Sequence, residues 1–356
     1  MDKALTSSRT KKGGIFPPGL FSIWAMLQAV VWLIGLSIFA SLIFIPSTGL
    51  LVFWNMLIPV APALLVLGTG IWRNICPLAT TTLLPRHWHV SRRKKMSVAL
   101  QGRLQLAAVL ALFGIVPLRH ILFNRSGPST ALLLSVLAST GFVMGIFFDW
   151  KSGWCSSLCP VHPVEKLYGG NPVYSFANAH CTQCVNCSIP CPDSTPNFRP
   201  AMAARNYSQR LAGWLITGGL PGFIWGWFHV SDQPGRSGRA DLLQAYAMPL
   251  AGLLVTLCLY MLLKTVVHKT HERQLSGIFA ASGVSCYYWY RIPALLGFGP
   301  YSGDGLLISL RDVIPSWSAT ALALCTTLFF FWWLLVRKPS QKSWVIRPPY
   351  APRTTQ

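Results

Sequence analysis

The fold is decided by stretches such as LFSIWAMLQAVVWLIGLSIFASLIFI, residues 20–45, in which no side chain carries a charge. A helix of about 20 predominantly apolar residues spans the hydrocarbon core of a bilayer, so this stretch is long enough to cross a membrane. Further apolar stretches lie at 50–71, 98–118, 129–148, 211–230, 242–263, 275–290 and 314–336. The sequence therefore predicts an all-α polytopic membrane protein with about eight transmembrane helices.

The composition supports this prediction and excludes several functions. Hydrophobic residues make up 52% of the 356 residues and charged residues 11%, whereas soluble proteins carry about 25% charge. Asp and Glu number nine against 30 Lys and Arg, and no acid lies between Asp2 and Asp149. This gap excludes a carboxylate acid–base site or an acid-lined cation pathway in that part of the chain.

The positive charge lies in the loops between the apolar stretches, so it indicates membrane orientation and lipid contact and does not indicate nucleic acid. With eight spans and a cytoplasmic N-terminus, 24 of the 30 basic residues lie inside and six outside. The stretch 275–290 is short, but without it the basic C-terminal tail would lie outside. We therefore expect eight spans and two cytoplasmic termini. The division is 1–148 for four helices, 149–210 for a cytoplasmic segment and 211–356 for the remaining helices and the tail.

The cytoplasmic segment contains the run Cys181-Thr-Gln-Cys184-Val-Asn-Cys187-Ser-Ile-Pro-Cys191-Pro192. This spacing is typical of the bacterial ferredoxins, in which the thiolates bind a [4Fe-4S] cluster. Disulfides are disfavoured at the reducing inner face of the membrane. Zinc is the weaker alternative, because structural zinc sites usually take two separated pairs of ligands. The run therefore predicts a ferredoxin-like loop that binds iron and sulfide.

A second group of cysteines follows two of the predicted spans. Cys155 and Cys159 belong to the segment Trp154-Cys155-Ser-Ser-Leu-Cys159-Pro160, and Cys76 belongs to Ile75-Cys76-Pro77. When the two Cys–Pro pairs are aligned, Cys76 precedes Cys159 by 83 residues. The alignment predicts a weak internal repeat. We expect Cys76 to approach Cys155 and Cys159 near the cytoplasmic surface, where they form a second centre or remain free thiols.

The number of ligands leaves the second centre open. Two cubane clusters need eight ligands, and the two inner loops contain seven cysteines. His162 and His180 are the alternatives for the eighth position, since imidazole replaces thiolate in some iron–sulfur centres. A haem would need two facing histidines, and only His120 and His229, at the outer ends of two spans, suit this arrangement. Imidazole side chains at membrane interfaces usually lie there for their mixed polarity, so we do not expect haem.

The cysteine run and the preceding Trp-Cys-x-x-x-Cys-Pro turn resemble the membrane-bound polyferredoxins over about residues 50–200. This group includes the quinol dehydrogenase subunit associated with periplasmic nitrate reductase, the methylamine-utilisation ferredoxin-type protein and the C-terminal half of the nitrous-oxide reductase regulator. The resemblance implies location in the bacterial inner membrane and electron transport. The chain departs from the group in having one complete run, in having Trp72 in place of a cysteine, and in its long C-terminal part.

From the resemblance we expect one-electron transfer between the quinone pool or a soluble ferredoxin and a redox partner subunit. The chain would then be the quinol-oxidising subunit of an oxidoreductase complex, although no catalytic residue is assigned and the enzymatic role stays open. A redox-sensing or metalloenzyme-maturation factor that uses the cluster as a switch is the alternative.

Overall fold

The structure is a computed structural model that describes residues 18–149, 151–170, 172–174, 176, 179, 204, 206–232, 239–301 and 303–337. Within these residues the chain is helical, and the one β-type pairing is an isolated bridge between Lys94 and Phe148. The prediction of an all-α multi-pass architecture is confirmed. Six described helices are long and apolar enough to cross a membrane, namely Ile23–Phe44, Pro46–Leu67, Val98–Arg119, Gly127–Phe147, Ala240–Val266 and Ser316–Val336.

The helices are numbered in chain order. In the N-terminal part they are α1 (Pro18–Phe44), α2 (Pro46–Leu67), α3 (Thr69–Ile75), α4 (Pro77–His87), α5 (Val98–Ile115) and α6 (Gly127–Phe147). A π-helical segment, Lys151–Leu158, precedes the short α7 (Val161–Tyr168). In the C-terminal part they are α8 (207–228), α9 (Arg239–Val266), α10 (Glu272–Leu295) and α11 (Ser316–Val336).

The two expected spans that are absent from the six lie in α8 and α10. α8 is continuous from Tyr207–Trp214 through a π-helical turn, Leu215–Gly219, to Leu220–Phe228. α10 has 24 residues, so the helix extends beyond both ends of the apolar stretch 275–290. Both helices bury much of their surface against the rest of the protein. They form the centre of the bundle.

The centre is a single apolar cluster to which helices from both halves of the chain contribute. It contains Val66, Val109, Phe113, Leu167, Tyr168, Ala212, Ile216, Leu220, Phe223, Leu253, Ala280, Val284, Tyr288, Phe330 and Trp333. α7, which follows the second Cys–Pro pair, is thus buried within the bundle. By contrast, α1 exposes Leu33, Ile34 and most of its other apolar side chains, as expected for a helix in contact with lipid.

Glycines allow α8 and α9 to pack very closely. Gly218, Gly222 and Gly226 recur at every fourth position, and small residues at this spacing let membrane helices approach backbone to backbone. A Cβ atom added at Gly222 would lie 2.5 Å from the carbonyl carbon of Gly252 and 2.6 Å from Thr256 Oγ1. The Gly222 amide also donates to Thr256 Oγ1 at 3.2 Å. This contact fixes α8 against α9.

Candidate functional site

The first Cys–Pro pair lies at a break between two helices. Pro77 disfavours helical backbone at the preceding residue, and Cys76 accordingly has φ −55° and ψ 117°. α3 therefore ends at Ile75, while Pro77 starts α4, since proline is well suited to the first helical position. The chain turns at Cys76 beyond the C-terminal end of α2.

The second Cys–Pro pair forms a similar break. The π-helical segment ends at Leu158, the Cys159 amide donates to the Trp154 carbonyl at 3.0 Å, and α7 begins at Val161. The His162 amide donates to the Cys159 carbonyl at 3.2 Å. Both pairs thus have the order helix, Cys–Pro break, helix, which is the local arrangement that the weak repeat predicts.

The structure brings the three cysteines of these segments into one region. Cys76 and Cys155 pack against the same small cluster, formed by Ala79 and Leu83. Burial, and next the negative charge of a nearby Cys76 thiolate, raise the pKa of Cys159 to about 12. The Cys159 thiol therefore holds its proton near neutral pH unless a cation stabilises the thiolate.

Within the described residues, the three thiols do not form a metal-binding group. None of them forms a disulfide, and all three are partly buried. Among the residues that the structure describes, no group of three or more His, Cys, Asp or Glu side chains is placed to hold a metal ion. His162, one of the alternatives for an eighth ligand, is 2% exposed, so it is a buried residue and not a solvated loop residue. The second centre remains a prediction.

A buried ion pair joins the two Cys–Pro segments. Arg73, on the last turn of α3, contacts the carboxylate of Glu165 on α7, and both side chains are nearly inaccessible. A buried charge is strongly destabilising when its partner is removed, so such pairs impose a particular arrangement of the elements that carry them. The pair holds α7 beside Cys76.

The chain that leads to the ferredoxin-type run is attached to the same region. The Ala179 amide donates to Asn74 Oδ1 at 2.7 Å, and both residues are buried. Upstream, the Val173 amide donates to the Leu67 carbonyl at 2.9 Å, and the Phe176 ring lies edge-on to Trp24 at 5.6 Å. The run itself, with Cys181, Cys184, Cys187 and Cys191, and the neighbouring His180 lie outside the described residues.

The ring nitrogens of His120 and His229 contact other groups of the protein. His120 Nδ1 lies 2.6 Å from Asp232 Oδ1, and its Nε2 lies 3.1 Å from the Trp227 carbonyl oxygen. His229 Nδ1 lies 2.7 Å from the Trp225 carbonyl oxygen. The partner of His120 could not be predicted from local sequence, because Asp232 is 112 residues away along the chain.

No family model matches the chain, and neither a curated protein nor a solved structure matches it.

Proposed function

We propose that the chain is an electron-transfer protein of the bacterial inner membrane that binds a [4Fe-4S] cluster through Cys181, Cys184, Cys187 and Cys191. The spacing of the run carries this proposal, because one peptide with thiolates at these intervals wraps around a cubane. When bound, the cluster accepts and donates single electrons. The quinone pool or a soluble ferredoxin is the proposed donor or acceptor on one side, and a redox partner subunit on the other.

The surroundings of the run support the proposal. The run begins two residues after Ala179, whose amide is held by Asn74 in the segment that leads to Cys76. Asn74 is fully buried, and buried hydrogen-bonded side chains position a site more precisely than solvated loops do. Cys76, Cys155 and Cys159 lie on the same inner segments and are the proposed ligands of a second centre.

The proposed orientation places all of these cysteines on the cytoplasmic side. α8 and α10 then cross the membrane together with the six strongly apolar helices, which makes eight spans. Support comes from the basic residues, of which 24 of 30 lie on the inner side in this arrangement, in agreement with the positive-inside rule.

Anaerobic purification followed by iron and sulfide analysis and EPR spectroscopy tests the main assignment. We expect at least four irons per chain in the wild type, as one cubane requires, and loss of the ferredoxin-type signal in Cys184→Ser. Cys258→Ser is the matched control, because Cys258 is an exposed thiol within α9. Unchanged iron and an unchanged spectrum in Cys184→Ser would refute the assignment.

Two further measurements separate the electron-transfer role from its alternatives. Rapid reduction of the cluster by a quinol analogue or by reduced ferredoxin is expected for an electron carrier, whereas oxidant-triggered loss of the cluster with a change of partner is expected for a redox sensor. Iron content in excess of four per chain that falls toward four in Cys155→Ser is expected if the second centre exists.

A further inference from the structure

A cavity of about 310 Å³ lies at the outer ends of the helices, at the opposite end of α2 from the cysteines. The beginning of α2, the turn after α5, the end of α8 and the loop after α10 form its walls. It gathers an unusual share of the ionisable groups of this chain, namely Arg119, His120, Asp232, Arg291 and Asp304. Ionisable side chains near membrane-spanning helices are costly and generally mark a functional site.

Two aromatic side chains hold one of the arginines in place. The Arg119 guanidinium carbon lies 3.9 Å from the ring centroid of Trp54 and 4.8 Å from that of Trp227. Its Nε donates to Asn124 Oδ1 at 3.1 Å. A guanidinium fixed between two rings loses little side-chain freedom when a ligand binds. Arg119 is therefore preorganised at the cavity wall.

The second arginine leaves a buried donor unused. Arg291 is 4% exposed, and its Nη2 donates to the Trp54 carbonyl and to Asn55 Oδ1, both at 2.7 Å. The Tyr287 side chain also interacts with the Arg291 guanidinium, but the buried Nε has no hydrogen-bond partner of good geometry among the described residues. The same holds for the indole Nε1 of Trp227, a residue that is 8% exposed. Unpaired buried donors destabilise a protein, so an acceptor in the cavity would stabilise it.

The acids of the cavity are already engaged with the protein. Asp232 accepts from Asn124 Nδ2 at 2.8 and 3.0 Å and contacts His120, while Asp304 Oδ2 accepts from the Asp232 amide at 2.7 Å. Their carboxylates therefore line the wall without satisfying the free donors of Arg291 and Trp227.

The balance of formal charge favours an anion. Asp304 interacts electrostatically with Asp232, with His120 and with Arg125 on the same outer turn as Arg119. Among the described residues, two arginines and two carboxylates line the cavity. Arg125, beside Asp304 but outside this lining, adds one positive charge to the surroundings. A ligand that carries one negative charge and several acceptor oxygens would neutralise this excess.

We propose that the outer cavity binds an oxyanion group, a phosphate or a carboxylate, that accepts hydrogen bonds from Arg291 Nε and Trp227 Nε1 and pairs with Arg119. Guanidinium groups suit this role because their planar donors match the oxygens of such anions. The group has two sources, the headgroup phosphate of an anionic lipid in the outer leaflet or a small soluble acid. The site does not depend on the proposed electron transfer.

The test uses the full chain, purified anaerobically in a neutral detergent. Binding of inorganic phosphate, acetate and glycerol phosphate is measured by calorimetry, and retention of phosphatidylglycerol is measured by native mass spectrometry. Binding of the soluble probes identifies a small acid as the ligand, and retention of phosphatidylglycerol alone identifies a lipid headgroup. Binding of none of these probes by the wild type would overturn the proposal.

Two substitutions locate the binding. Trp227→Phe removes the Nε1 donor and keeps an aromatic ring against Arg119, so we expect roughly tenfold weaker binding from the loss of one hydrogen bond to a charged group. Arg291→Lys removes the Nε donor and the planar fork, and a loss at least as large is expected. Arg273→Gln is the control, since Arg273 is exposed at the other end of α10. Equal affinity in all four proteins would refute the site.

Discussion

The close contact between α8 and α9 gives a sharp test of the fold through Gly222→Ala. The added Cβ atom would lie 2.5 Å from the carbonyl carbon of Gly252 and 2.6 Å from Thr256 Oγ1. Carbon atoms prefer separations of about 3.5–4.0 Å, so the two backbones must move apart by roughly 1 Å. Backbone atoms cannot rotate away as the end of a flexible side chain can, and the strain therefore spreads along both helices.

The expected loss of stability follows from two opposing effects. Overpacking of a tight interface costs about 1–3 kcal/mol, and the separated helices also lose dispersion contacts. Alanine recovers up to about 1 kcal/mol because it is a better helix former than glycine. We therefore expect Gly222→Ala to lower the free energy of unfolding by about 1–2 kcal/mol.

The assay compares thermal unfolding midpoints in one detergent, and Gly114→Ala is the matched control. Gly114 lies within α5, and a Cβ atom added there meets nothing within 4 Å. Its substitution should leave the midpoint unchanged or raise it, whereas Gly222→Ala should lower it by several degrees. Equal midpoints for the two variants would mean that α8 and α9 are not in backbone contact at Gly222.

Two further substitutions test the inner and outer sites. Asn74→Ala removes the acceptor of the Ala179 amide, so hydrogen–deuterium exchange at Ala179 should become faster. Ser37→Ala, which alters an exposed hydroxyl of α1, is the control and should not change this exchange. Unaltered exchange in Asn74→Ala would show that this bond does not anchor the segment. Burial raises the pKa of Asp304 above its usual value, so ionisation of this group weakens the fold as the pH rises through the raised pKa. Asp304→Asn should therefore unfold at a higher temperature than the wild type at pH 7, and the difference should shrink as the pH falls through the raised pKa and the wild-type acid takes up a proton. A gain that is independent of pH would exclude the carboxylate charge as its cause.

The sequence was sufficient to predict the helical membrane architecture, because an apolar stretch long enough to cross a bilayer has few alternatives to a helix. It was insufficient for α10. The apolar stretch 275–290 is short and does not define the ends of the helix, whereas the structure shows a 24-residue helix, Glu272–Leu295. The polar groups of α10 are satisfied by distant parts of the chain: the Tyr288 hydroxyl donates to the Pro59 carbonyl at 2.7 Å, 229 residues away. A local pattern contains no information about such partners.

The candidate site at the inner end was predictable in part. The two Cys–Pro pairs could be aligned, and proline dictates the break in the helix at each pair, so the approach of Cys76 to Cys159 followed from sequence. The contacts that hold the region together did not follow. Arg73 and Glu165 are 92 residues apart, and Asn74 and Ala179 are 105 residues apart. Each residue alone resembles an ordinary helix-end or loop residue, and its role appears only when the fold brings its partner beside it.

The positions of the two sites make their tests independent. α2 has 22 residues, and at about 1.5 Å per residue it separates its outer end, which lines the cavity, from the inner segments by roughly 30 Å. Cys76, Cys155 and Cys159 lie beyond the C-terminal end of α2, and the cavity at its N-terminal end contains the free donors of Arg291 and Trp227. Trp227→Phe should therefore leave the iron content unchanged, and Cys184→Ser should leave the affinity for phosphate or phosphatidylglycerol unchanged. A loss of both properties in either variant would indicate general unfolding and not the loss of a site.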